Sequence, residues 1–175
     1  MKTERQAGVY PLCVVGVGNS LAGDDGAGNA VVSSLRKRYP YRDDVLLHNL
    51  ETDPLELWDV LTAARRFIFV DALAGQPAGR LVCAGRNSAR RAWAPSIHQM
   101  DLPTVVVRLC ALLGIDDLEW SIWGVTIDCP ERLEEGLSPK VASAVEDLVE
   151  ILSSRIESEE YSVEAPAHFE QIENE

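Results

Sequence analysis

The chain has 175 residues, 46% of them hydrophobic and 25% charged, which suits one globular domain with a substantial core. Its net charge of −12 argues against a nucleic-acid partner. No apolar run approaches the roughly 18 residues of a membrane span, and Met1-Lys-Thr-Glu-Arg lacks the apolar core of a signal peptide, so the expected location is the cytoplasm.

Leu12–Val17 is a β-rich run that ends among glycines. From about Asp25 to Lys37, Ala30, Val31 and Leu35 share one helical face, and Asp24 is placed to cap that helix. Val45–Leu50 reads as a second strand. Thr52-Asp53-Pro54-Leu55-Glu56 has the form of a capping box, with Asp53 as N-cap and Pro54 at the first helical position of a helix reaching about Ala64. Phe67-Ile68-Phe69-Val70 is continuously apolar, as a strand covered on both faces should be, and stops at Asp71. After a Gly75–Gly79 turn, Arg80–Ala84 is a further strand. Pro103–Leu113 is a helix, Trp120–Ile127 the last strand, and Ser138-Pro139 opens a final amphipathic helix through Leu152.

Strands alternating with helices predict an α/β fold: a single three-layer α/β/α domain over residues 1–156, with a mostly parallel twisted sheet. Residues 157–175 carry seven glutamates and no lysine or arginine, more than half of the net charge, and read as an acidic disordered or loosely attached tail. Cys13, Cys83, Cys110 and Cys129 are widely scattered without a CxxC pair. They read as buried free thiols rather than disulfides or a zinc site.

In such sheets ligands bind beyond the carboxyl ends of the strands. That rule selects the loop after Val17, the residue after Val70, and whatever segment folds over them. The loop, GVGNSLAGDDGAG over residues 16–28, holds five glycines and reads as built for close backbone approach to a ligand. A dinucleotide fingerprint would need glycine at Leu21, and a P-loop would need lysine at Asp24. Two carboxylates at a helix start also repel phosphate. A cation suits Asp24 and Asp25 better than an anion does. Asp71 ends a central apolar strand at the same sheet edge, and Ser96-Ile-His98-Gln99 precedes the Pro103 helix. Two carboxylates and an imidazole on three loops form a plausible open metal site. His168 lies in the acidic tail, and His48 reads as a packed or surface side chain within the second strand.

These residues resemble the maturation endopeptidases of nickel-iron hydrogenases over about residues 11–156. The likeness rests on Gly16-Val-Gly18-Asn19-x-Leu21-x-x-Asp24-Asp25-Gly26-x-Gly28, Phe69-Val70-Asp71-Ala72, Ser96-x-His98-Gln99 and Gly136-Leu137-Ser138-Pro139-x-Val141. The resemblance implies an enzyme, classed with aspartic-type peptidases, that clips the C-terminal extension from a hydrogenase large-subunit precursor after nickel insertion. It maps the family's metal-contacting and catalytic positions onto Asp25, Asp71 and His98. The ion would be the precursor's own nickel, although other divalent ions could occupy the site in vitro; the expected protein is a monomer. Many members carry Asp-Gly-Gly-Thr where this chain reads Asn49-Leu50-Glu51-Thr52, so Asn49 cannot act as a charged acid; either Glu51 or Asp53 replaces it, or the change marks a subgroup with a different partner. A non-cleaving, metal-dependent chaperone of the nickel-loaded subunit is the alternative. A nucleotide-binding α/β protein is a third reading and needs the fingerprints already rejected.

Overall fold

A computed structural model of the chain describes residues 10–50, 56–85, 102–128 and 136–172. Strands β1 (Leu12–Val17), β2 (Val45–Leu50) and β3 (Arg66–Ala74) pair in parallel, as do β3 and β5 (Glu119–Ile127). The intervening β4 (Leu81–Gly85) runs antiparallel to β5, and a short β6 (Glu170–Gln171) pairs with β4 at the edge. The order across the sheet is β2-β1-β3-β5-β4-β6. This is the mostly parallel α/β architecture that the alternation of elements predicts.

Period-two alternation sends successive side chains to opposite faces. Leu12 and Val14 of β1 and Ile68 and Val70 of β3 join one core with helices α1 (Ala27–Arg38) and α4 (Pro139–Glu157). Cys13, Val15, Phe67 and Phe69 join the other, under α2 (Glu56–Ala63) and α3 (Leu102–Leu113). Two buried layers explain why the central strands read as unbroken apolar runs. Cys13, Cys83 and Cys110 are buried and form no disulfide among the described residues, as expected, and burial pushes the Cys13 thiol up; Cys129 lies outside the described residues.

Three local features differ from the sequence-based expectations. Helix α1 starts at Ala27, after a 3-10 turn over Gly23–Gly26, and no side chain caps it. Asp24 instead accepts the backbone N–H of Ser138 at 2.6 Å, so it serves the start of α4 rather than its own helix. Strand β3 does not stop at Asp71. It continues to Ala74 because β5 runs beside it, pairing Asp71 with Gly124 and Ala74 with Ile127.

As far as Ile172 the acidic tail is docked, not loose. Phe169 is 3% exposed and meets Trp123 edge-on, with ring centroids 5.2 Å apart. Ser121 Oγ donates to the Val163 carbonyl at 2.5 Å, Arg155 donates to the Ser162 and Glu164 carbonyls, and Ile172 N–H donates to the Cys83 carbonyl at 2.9 Å. The physical reason is a division of labour. Glu159, Glu160, Glu164 and Glu170 keep their charges in water, while Phe169 covers a tryptophan on the outer part of the sheet.

Candidate active site

From β1 the chain passes through α1 to β2 on one side, then crosses back through α2 to β3 on the other. The direction of winding therefore reverses between β1 and β3, the place where such sheets open a crevice at their carboxyl ends. The β1–β3 ladder ends at Gly16 opposite Val70, and β3 goes on alone with β5 from Asp71. Asp71 thus stands at the residue where β1 peels away into the glycine-rich loop.

The glycines of that loop serve the protein's own backbone. A Cβ on Gly28 would fall 2.1 Å from the Val70 carbonyl oxygen and 2.4 Å from that of Val17. One on Gly16 would fall 2.5 Å from the Gly28 carbonyl oxygen. Gly18 has φ +130°, and a side chain there would lie 2.0 Å from the Asp25 carbonyl oxygen. Close approach is the right inference from the sequence, but at these glycines the thing approached is strand and helix, not a ligand. The consequence is positional. The start of α1 is pressed onto the ends of β1 and β3, which brings the Asp25 turn to Asp71.

Asp25 is 2% exposed, and its Oδ2 accepts the Asn19 backbone N–H at 2.9 Å. Asn19 Oδ1 in turn accepts the Leu21 N–H at 3.0 Å, which shapes the loop tip. Asp71 is 3% exposed, and its Oδ1 accepts the adjacent Ala72 N–H at 2.8 Å. Burial lifts the Asp71 carboxyl to about 7; the Ala72 amide pulls the other way, and the charge of Asp25 adds to the rise. Two buried acids within electrostatic reach form an arrangement that a proton or a cation relieves. Carboxylate oxygens are competent ligands for nickel, zinc and harder divalent ions alike.

His98, with Ser96 and Gln99, lies outside the described residues, as do Glu51 and Asp53. Among the described residues no group of three or more metal-ligating side chains is assembled. Asn49 sits in β2 opposite Gly16, and its Nδ2 donates to Ser33 Oγ of α1 at 3.0 Å. Its side chain therefore works in the seam between strand and helix. His48 Nε2 faces Glu56 Oε2 at 3.2 Å, and His168 packs on Phe169, so both are accounted for away from the crevice. Sequence reasoning missed Asn29, whose Nδ2 donates to the Gly18 carbonyl at 2.7 Å. An asparagine inside a helix carries no signal that would single it out.

Residues 29–155 match the family model described as hydrogenase maturation protease. The chain belongs to the hydrogenase maturation protease family. The matched span contains Asp71 and begins just past Asp25. The protease is 32% identical over 147 residues to the hydrogenase expression/formation protein HoxM of Cupriavidus necator, covering 79% of this chain and 70% of that protein. It is 28% identical over 152 residues to the corresponding protein HupD of Bradyrhizobium diazoefficiens, covering 79% and 78%. Among solved structures, the hydrogenase maturating endopeptidase HybD from E. coli superposes with a TM-score of 0.69 at 26% identity, over 85% of this chain and 94% of that one. The NiFe hydrogenase maturation protease HycI from Thermococcus kodakarensis gives 0.69 at 22% identity over 86% and 95%, a likeness of fold. No helix among the described residues of the protease is long and apolar enough to cross a membrane.

Proposed function

We propose that this protease removes the C-terminal extension of a nickel-iron hydrogenase large-subunit precursor after nickel insertion, and that Asp25, Asp71 and His98 recognise the bound nickel. The observation that carries this reading is the buried Asp25–Asp71 pair where β1 and β3 diverge. The nickel belongs to the substrate and already has ligands of its own there. Two carboxylates and an imidazole would complete its coordination without the enzyme owning a tight site, so cleavage would depend on nickel loading. Such an ion orients the chain beside it and can polarise a nearby carbonyl.

The protein's own residues supply the proton chemistry. Hydrolysis needs a group that takes a proton from water as it adds to the scissile carbonyl and returns it to the leaving amine nitrogen. In the free enzyme the Asp71 carboxyl, lifted to about 7 by burial and further by the Asp25 charge against the pull of the Ala72 amide, fits that exchange. Paired carboxylates of this kind support the aspartic-type classing. The same reading has the enzyme work as a cytoplasmic monomer. The alternative, a non-cleaving chaperone, has as its sequence support only Asn49 in place of the family's acid, and the hydrogen bond of Asn49 to Ser33 gives that side chain a role in the seam between strand and helix.

Mass spectrometry of nickel-loaded precursor incubated with the protein tests the reading. The expected result is loss of the C-terminal peptide from loaded precursor, no loss from nickel-free precursor, and no loss with Asp71→Asn. An unchanged precursor mass with wild-type protein would favour the chaperone, and equal cleavage of both precursors would remove nickel from the recognition step.

A further inference from the structure

Asn29 is 3% exposed on the sheet-facing side of α1, where a Cβ on Gly16 would come 3.0 Å from its Cα. Its Oδ1 is buried and meets no hydrogen-bond partner. An unpaired buried amide oxygen is costly, and an apolar side chain of similar size would avoid that cost. What leucine could not supply is the donor, Nδ2, which holds the Gly18 carbonyl at 2.7 Å.

That carbonyl and the Asn19 N–H belong to one peptide unit. The N–H donates to Asp25 Oδ2 at 2.9 Å. The Gly18–Asn19 plane is therefore gripped at both ends, by Asn29 on its oxygen and by Asp25 on its nitrogen. Gly18, at φ +130°, is the hinge that lets the plane adopt this angle. A hydrogen bond to the carbonyl also polarises the peptide, making its N–H a stronger donor to the carboxylate.

We infer that Asn29 is a positioning residue which, through the Gly18–Asn19 peptide, fixes the orientation of the Asp25 carboxylate. The inference rests on Asp25 acting in cleavage as proposed above. Asn29 is itself buried, and because Asp25 is proposed above to meet the substrate's nickel, loosening its carboxylate should weaken docking as well as turnover. Supporting groups one bond removed from a functional ligand typically matter about 10–100-fold.

Asn29→Leu is compared with wild type and Asp25→Ala on nickel-loaded precursor, and the Asn19 amide is followed by NMR in the free proteins. Expected for Asn29→Leu are a kcat/KM lowered about 10–100-fold and an Asn19 amide proton moved upfield as its bond to the carboxylate weakens. Asp25→Ala should move the same resonance in the same direction. Full activity in Asp25→Ala would overturn the site itself. An inactive Asp25→Ala beside a fully active Asn29→Leu would overturn the positioning role alone, and so would an Asn19 amide that Asn29→Leu leaves in place. Should leucine prevent folding, Asn29→Ala, smaller and a strong helix former, carries the same two readouts.

Discussion

Asp71 lies within electrostatic reach of Asp25, and burial followed by that charge lifts its carboxyl to about 7 against the pull of the Ala72 amide. An unfolded aspartate titrates near 3.9. From about pH 4 to 7 the folded chain therefore holds a proton that the unfolded chain has lost, and stability falls as pH rises through that window. Above 7 the loss is complete. Asp71→Asn has no proton to give up, so it should be more stable than wild type at pH 8, by on the order of 2–4 kcal/mol. Below pH 4 the two should converge. Thermal melts of the free proteins across this range check it, and a variant melting no higher than wild type at pH 8 would contradict the raised carboxyl. Because the same change removes the proton acceptor proposed above, the stabilised protein should be inactive.

A divalent cation is another way to relieve the two acids. Nickel or zinc added to free wild-type protein at neutral pH should raise the melting temperature, since an ion at 100 times its Kd adds about 2.7 kcal/mol. Asp71→Asn should blunt the shift, and His98→Ala should too if its imidazole is the third ligand. His98→Ala should otherwise melt normally. A full shift in His98→Ala would remove that residue from the site and leave the carboxylate pair.

The Asp24 bond to the Ser138 N–H joins two segments 114 residues apart and ties the site turn to the start of α4. Asp24→Ala leaves that N–H without its acceptor, a loss of about 1–2 kcal/mol for a partly exposed charge-assisted bond. Asp24→Asn keeps the oxygen and should retain most of the stability. Denaturant midpoints of the two variants measure the difference, and equal midpoints would mean the bond contributes nothing.

Much of this was legible from local pattern. Asp71 stands out as the acid that ends an apolar run, and Asp25 as one of two adjacent acids in the glycine loop after another; both are candidates on that ground. What local pattern cannot weigh is the partner across the sheet or across the fold. Asp71 looked like a strand end because apolar residues stop there, yet β5 extends alongside and keeps β3 paired. Asp24 looked like a cap because capping rules are local, yet a more distant amide reached it first. The glycines announced close approach without saying to what. In the tail, seven glutamates set the composition while one phenylalanine sets the packing. His98 was legible as a candidate by motif and stays one, because its placement lies outside the described residues.

That phenylalanine gives the sharpest stability test. Phe169 joins the core shared by β5 and α4 and covers Trp123, while the Arg155 guanidinium stacks over the same indole at 4.9 Å from its centroid. Removing the ring opens a cavity that the tail cannot collapse into, because Val163 and Ile172 are pinned by hydrogen bonds on either side. Phe169→Ala should therefore cost about 3–5 kcal/mol, the usual range for a buried aromatic. For a chain of this size each kcal/mol moves the melting temperature by roughly 2–4 °C, so the drop should be about 10 °C. Glu164→Gln, on the exposed side of the same segment, should change it little. Deleting residues 160–175 should cost at least as much as the single substitution, since it also removes β6 and the cover over Ser121. A truncated protein that melts with the wild type would show the tail to be a passenger after all.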